Sequence, residues 1–279
     1  MEKQTIAIMY DFDKTLCTKD MQEYSFISEV GMSATEFWGD VTKLAQSSGM
    51  DRILAYLYDM LKQAKRNDVS IRRETFVKSG ENIELFPGVI DWFKRINDYG
   101  DKLGLKVEHY IISSGLKEII EGSPIANEFK KIYACEFHYD VNGVADWPTL
   151  VVNYTNKTQF LFRVNKGVLE VSEDEKLNEF VEDINRPVPF RNMIYIGDGL
   201  TDVPCMKLTK VNGGQSIAVY TDNKKIAENL LRDRRVDFIV PADYTQGSEM
   251  EQLMQTILDK MMIVNKLVEK NHNQRGVGE

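Results

Sequence analysis

The chain has 279 residues, 43% apolar and 28% charged, an ordinary globular balance with length enough for one large domain or two smaller ones. A net charge of −8 argues against nucleic acid or an anionic membrane as a partner, while a small anionic substrate stays open wherever a local cation overrides the global field. Cys17, Cys135 and Cys205 lack metal-ligand spacing and, being odd in number, give no disulfide framework. No basic-then-apolar leader is visible and no apolar run reaches membrane-spanning length, so the expected compartment is the cytoplasm.

The apolar run 6–9 is too short for a helix and reads as a buried strand. It stops at Asp11-Phe12-Asp13. Two acids two residues apart would share one side of a continuing strand, and burying them is costly unless a cation or a reaction needs them. A magnesium ion would neutralise such a pair, and a carboxylate can then attack phosphorus.

Residues 19–84 carry four helix-like stretches (21–30, 33–46, 50–65 and 73–82) and no convincing strand. Ser33 and Glu36 have capping-box spacing, and Gly31 and Gly49 sit where helices can stop. This predicts an all-helical insert, with Phe86-Pro87-Gly88 as the return to a core made of 1–18 and 85–279.

From there the pattern alternates. Helices are expected over 89–99, from 117 onward, and over 173–184 and 224–231. Strands are expected over 107–113, 193–196, 216–220 and 237–240. That rhythm predicts an α/β fold with a doubly wound parallel sheet. Residues 133–152, with the turn Asn142-Gly143, read as a small β-hairpin projecting from the core. Residues 249–268 place Met250, Leu253, Met254, Ile257, Leu258, Met261, Leu267 and Val268 at helical spacing, so the methionines read as core and the tail from Asn271 as frayed.

Chemistry-bearing residues gather at strand ends. The second core strand ends at Ser113-Ser114-Gly115, a hydroxyl before a helix start whose N–H groups favour an anion. Ser113 and Ser114 compete for that role, and Ser113 ends the apolar run. The third ends in Gly197-Asp198-Gly199-Leu200-Thr201-Asp202, where Asp198 can also be a turn residue and Asp202 a helix cap. Asn156-Lys157-Thr158 offers a cation, with Lys166 as its rival. Ligands of open α/β sheets bind beyond the carboxyl ends of the strands, so these groups can converge.

Asp-Phe-Asp-Lys-Thr at 11–15, Ser113, Lys157 and the 197–202 run, in that order, resemble the four signature motifs of the haloacid dehalogenase superfamily. The helical insert after the first motif is similar to the cap of its phosphoserine-phosphatase-like branch. The resemblance implies a Mg²⁺-dependent phosphatase acting on a small phosphorylated metabolite through an aspartyl-phosphate. Asp11 would be the nucleophile and Asp13 the proton shuttle, with a raised pKa. Asp11, the Asp13 carbonyl and Asp198 would hold the metal, and Asp202 would act from behind them. Ser113, Lys157 and the N–H groups of Phe12 and Asp13 would hold the phosphate. In the insert, Asp20 stands where the phosphoserine phosphatases have a glutamate for the substrate ammonium, so it points to an amine-bearing leaving group. Arg52, Trp38, Tyr56 and Tyr58 are further candidates for substrate contact.

Rival readings are a phosphotransferase on the same fold and an idle metal-binding interaction protein. His109, His138 and His272 form no zinc-ligand pair, and neither a Gly-x-Ser-x-Gly elbow nor a P-loop is present. Cys17 has no histidine partner in sequence and reads as packing. No protein partner and no oligomeric state can be read from the sequence.

Overall fold

The computed structural model describes residues 3–221 and 223–276. Seven strands form one sheet in the order β4-β3-β2-β1-β5-β6-β7. They are β1 (Gln4–Tyr10), β2 (Leu105–Leu116), β3 (Phe129–Tyr139), β4 (Ala145–Leu150), β5 (Met193–Gly197), β6 (Gln215–Tyr220) and β7 (Phe238–Pro241). All pairings are parallel except β3 with β4. A parallel sheet must be covered on both faces, which is why β1 and β5 read as unbroken apolar runs; Ile6 to Tyr10 and Met193 to Ile196 are buried.

Among the described residues five helices fall between β1 and β2, the first four being α1 (Phe26–Glu29), α2 (Ala34–Ser48), α3 (Arg52–Arg66) and α4 (Arg73–Ser79). A single-turn 3₁₀ segment (Met21–Tyr24) leads into α1, so the apolar stretch 21–30 is two short pieces rather than one helix. Ser33 and Glu36 close a reciprocal capping box at the start of α2, and Gly49 ends it at φ +62°. Asp51 caps α3 by accepting from Ile53 and Leu54 N–H at 2.9 and 3.1 Å. Phe26, Phe37, Trp38 and Tyr56 meet edge-on within this segment, with ring centroids 5.1–6.2 Å apart.

The chain then continues through α5 (Val89–Lys102), α6 (Lys117–Glu121), α7 (Lys157–Lys166), α8 (Asp174–Asn178), α9 (Val203–Val211), α10 (Lys225–Arg232) and α11 (Glu249–Gly276). Helices α5 and α11 pack on each other, as do α7 and α9.

The structure departs from the expectations in four places. The strand that enters the hairpin starts earlier than expected: over 129–135, β3 pairs with β2 and extends the central sheet, and only its end, 136–139, pairs with β4 in the hairpin. The helix expected over 173–184 stops at Asn178, because Lys166 Nζ takes the carbonyls of Leu177 and Glu179, and Arg186 Nε takes that of Val181. Phe180 in that stretch is 87% exposed, so its apolar spacing meets no surface. Helix α6 is only five residues long and ends at Gly122, against α4. The terminal helix runs on through Gly276, past the point at which fraying was expected.

Candidate active site

Chain order winds from β1 out to β4 on one side and from β5 out to β7 on the other, so β1 and β5 flank the topological switch point. Asp11 leaves the end of β1 with its N–H bound to the Ile196 carbonyl at 2.9 Å. Asp198 follows β5 directly. The carboxylate oxygens of Asp11, Asp198 and Asp202 lie within 4.8 Å of one another.

Lys157 is the ammonium bonded into this trio, and Lys14 adds a favourable charge near Asp198. Lys157, the first residue of α7, is fully buried with Nζ 3.2 Å from Asp11 Oδ1 and 2.8 Å from Asp202 Oδ1. Burial favours its neutral amine, but Asp11 and Asp202 outweigh burial and raise its pKa, keeping it an ammonium. The rival Lys166 instead binds the carbonyls of Leu177 and Glu179.

Asp202 is held three ways. Besides Lys157, the Tyr195 hydroxyl donates to Oδ1 at 2.7 Å and the Gly199 N–H to Oδ2 at 3.3 Å. Gly197 makes room for it: a Cβ there would lie 2.5 Å from the Asp202 carboxyl. Asp198 has no hydrogen-bond or ion-pair partner among the described residues; burial, then Asp202 and Asp11, raise its pKa well above the usual range.

Burial and Asp202 push the Asp11 carboxyl up to about 6, against the pull of Lys157. Its Oδ1 also accepts the Phe12 N–H at 2.8 Å, so an incoming phosphate oxygen would compete with Asp11 for that donor. Burial, then Asp20 and Asp11, hold Asp13 well above the ordinary carboxyl range. Asp13 Oδ1 accepts the Met21 N–H at 2.9 Å, which ties the motif to the first turn of the helical segment.

Both serines line the cavity. Ser113 Oγ accepts the Gly115 N–H at 3.0 Å, leaving its proton free to donate, whereas Ser114 Oγ is buried without a partner.

The cavity over these groups holds about 420 Å³. Asp11, Asp13, Lys14, Ser113, Ser114, Asp198, Gly199, Thr201 and Tyr154 form its core side, while Asp20, Gln22, Trp38, Arg52, Ile53 and Tyr56 come from the helical segment. Tyr56 is fixed by its hydroxyl on the Ser114 carbonyl at 2.9 Å. Tyr58, on the opposite face of α3, is half exposed and lines a separate apolar groove with Met50, Leu54 and Trp147. It is therefore no part of the cavity.

Lys14, Gln22, Tyr154, Thr201 and Tyr195 were not singled out from the sequence. Lys14 and Thr201 had a signal, since they lie inside the 11–15 and 197–202 motifs. The thiol of Cys17 is buried and pushed up by burial, in keeping with packing.

Among the described residues no helix is long and apolar enough to cross a membrane.

With the acids, the lysine and the cavity in place, the chain can be set beside known proteins. The model of the haloacid dehalogenase-like hydrolases matches residues 8–207, and the chain belongs to that family. A Borreliella burgdorferi protein described only as uncharacterized is 30% identical over 272 residues, covering 88% of this chain and 93% of its own. The fold is similar to that of a haloacid dehalogenase family hydrolase from Salmonella enterica serovar Typhi, with a TM-score of 0.57 at 19% identity over 89% of this chain and 73% of that one. It is also similar to a substrate-bound phosphoserine phosphatase, with a TM-score of 0.55 at 14% identity over 87% of this chain and 96% of that one. At such identities the likeness is one of fold.

Proposed function

We propose that the protein is a phosphatase that hydrolyses a small phosphomonoester through an aspartyl-phosphate on Asp11, with segment 19–84 acting as a cap over a core made of 1–18 and 85–279. The observation that carries this reading is the buried cluster of Asp11, Asp198 and Asp202 around one ammonium, Lys157, opening into a cavity beside Asp13 and Ser113.

Three clustered acids beside Lys157 present hard oxygen donors of the kind that suit Mg²⁺. Asp202 is engaged by Lys157 and Tyr195, so Asp11 and Asp198, with the Asp13 carbonyl, would hold the ion. When bound, Mg²⁺ would neutralise those acids and polarise a phosphate oxygen.

Asp11 attacks phosphorus in line; its carboxylate forms the new P–O bond as the bond to the leaving oxygen breaks. Asp13, kept protonated by its surroundings, gives its proton to that oxygen. It then takes a proton from the water that attacks the aspartyl-phosphate, and rupture of the P–O bond returns Asp11 as a carboxylate. Ser113 and Lys157 hold the equatorial oxygens, where charge sits in the transition state.

Phosphate release from p-nitrophenyl phosphate with Mg²⁺ and no acceptor alcohol tests this reading. Asp11→Asn should lower the rate by about a thousandfold or more. A chelator should abolish turnover, and added Mg²⁺ should restore it. Parental rates in the variant, or full activity with the chelator, would overturn it.

A further inference from the structure

The half of the cavity that would receive the leaving group has an uneven charge pattern. The acid that lines it from the helical segment, Asp20, is ion-paired: Lys14 Nζ lies 2.6 Å from Asp20 Oδ2. Asp20 precedes the 3₁₀ turn at Met21 but makes no capping bond with its side chain, so Lys14 is its bonded partner. Lys14 reaches it from a left-handed backbone, φ +55°, which a lysine seldom adopts. Glu23, pushed up by burial and by Asp20, does not line the cavity.

The other charged group there is in the opposite condition. Arg52 lines the cavity with no acid within ion-pair reach and no hydrogen-bond partner among the described residues. Gln22, 1% exposed, likewise contributes a carboxamide without a partner. A leaving group entering this space meets an ion-paired carboxylate, a solvent-exposed guanidinium without an acid partner and a neutral amide. An ammonium would have to displace Lys14 from Asp20 and then sit among two like charges. A hydroxyl can use Gln22 instead, and a second anionic group meets Arg52.

We propose that Lys14 is a specificity-determining residue: by occupying Asp20 it makes the site select phosphoesters of hydroxy acids over those of amino alcohols and amino acids. This reverses the amine preference that Asp20 alone implied in the sequence, and it rests on the phosphatase reading given above.

The test compares kcat/KM for racemic 3-phosphoglycerate and racemic phosphoserine, which differ in hydroxyl against ammonium on one carbon. Racemates remove any mismatch of configuration, and p-nitrophenyl phosphate reports on the chemistry itself. The parent should favour phosphoglycerate by about tenfold or more, the scale on which like-charge juxtaposition discriminates. Lys14→Met frees Asp20 and should shift the ratio toward phosphoserine by a similar factor, while Lys14→Arg should keep the parental preference. A parent that prefers phosphoserine, or a ratio unmoved in Lys14→Met, overturns the assignment while turnover of p-nitrophenyl phosphate leaves the phosphatase reading standing. Loss of all three activities in the parent would overturn both.

Discussion

Tyr10, Trp92, His109 and Asn97 form a chain of hydrogen bonds beneath the carboxyl end of β1, buried except at Asn97. The indole of Trp92 can only donate, and it does so to the Tyr10 oxygen at 2.9 Å. Burial lowers the His109 pKa from 6.5 to about 3 and so keeps the imidazole neutral. With Nε2–H donating to Asn97 Oδ1 at 3.0 Å, Nδ1 of the neutral ring accepts from the Tyr10 hydroxyl at 3.0 Å. As the pH falls, the unfolded chain protonates His109 first, so its contribution to stability is whole above pH 6.5 and is lost as the pH falls toward 3. Between pH 7 and 5 the parent should lose about 2 kcal/mol more than His109→Gln, read from urea midpoints. Equal losses would show that the proton is accommodated in the fold. At this scale Asp11, Asp13, Ser113 and Asp198 could be picked out because each stands at the end of an apolar run, and Lys157 and Asp202 because of their place in the order of motifs. Tyr195 could not, because a tyrosine in a core strand looks like any other buried ring until the 197–202 turn brings Asp202 to its hydroxyl. Lys14 stood in plain view, but its reach to Asp20 depends on a backbone angle that its residue type does not announce.

Helices α4 and α6 approach so closely that side chains are excluded between them. A Cβ on Gly122 would fall 1.7 Å from the Val77 carbonyl oxygen, and one on Gly80 would fall 2.2 Å from that of Ile119. Both glycines have ordinary negative φ, near −82° and −64°, so contact and not conformation requires them. Gly122→Ala should therefore cost about 1–3 kcal/mol by forcing the helices apart, seen as a lower thermal midpoint. An unchanged midpoint would mean that this contact is loose. Element existence was readable along most of the chain because apolar periodicity is local. The failures were tertiary. Nothing in 129–139 says that its strand will join β2, and the spacing over 173–184 gives way once Lys166 and Arg186 claim its carbonyls.

In the whole molecule, the sheet order places the ends of β1 and β5 side by side, and the segment between β1 and β2 supplies the remaining wall of the cavity. The fold class could be read from alternating strands and helices, and the family follows from motifs set at those strand ends. What the leaving group is could not be read, because it depends on which charges in the cavity are paired, a property of side-chain geometry rather than of residue type. A protein of net charge −8 that is to bind a phosphoester, as proposed above, must concentrate its positive charge, and Lys157, Lys14 and Arg52 lie in or against one cavity. The central claim is that Asp11 becomes covalently phosphorylated during turnover. Rapid acid quenching with a ³²P-labelled phosphoester, followed by peptide mapping, tests it most directly: the label should appear on the peptide containing Asp11 and be absent in Asp11→Asn. Turnover with no labelled protein, or label that persists in Asp11→Asn, would contradict it.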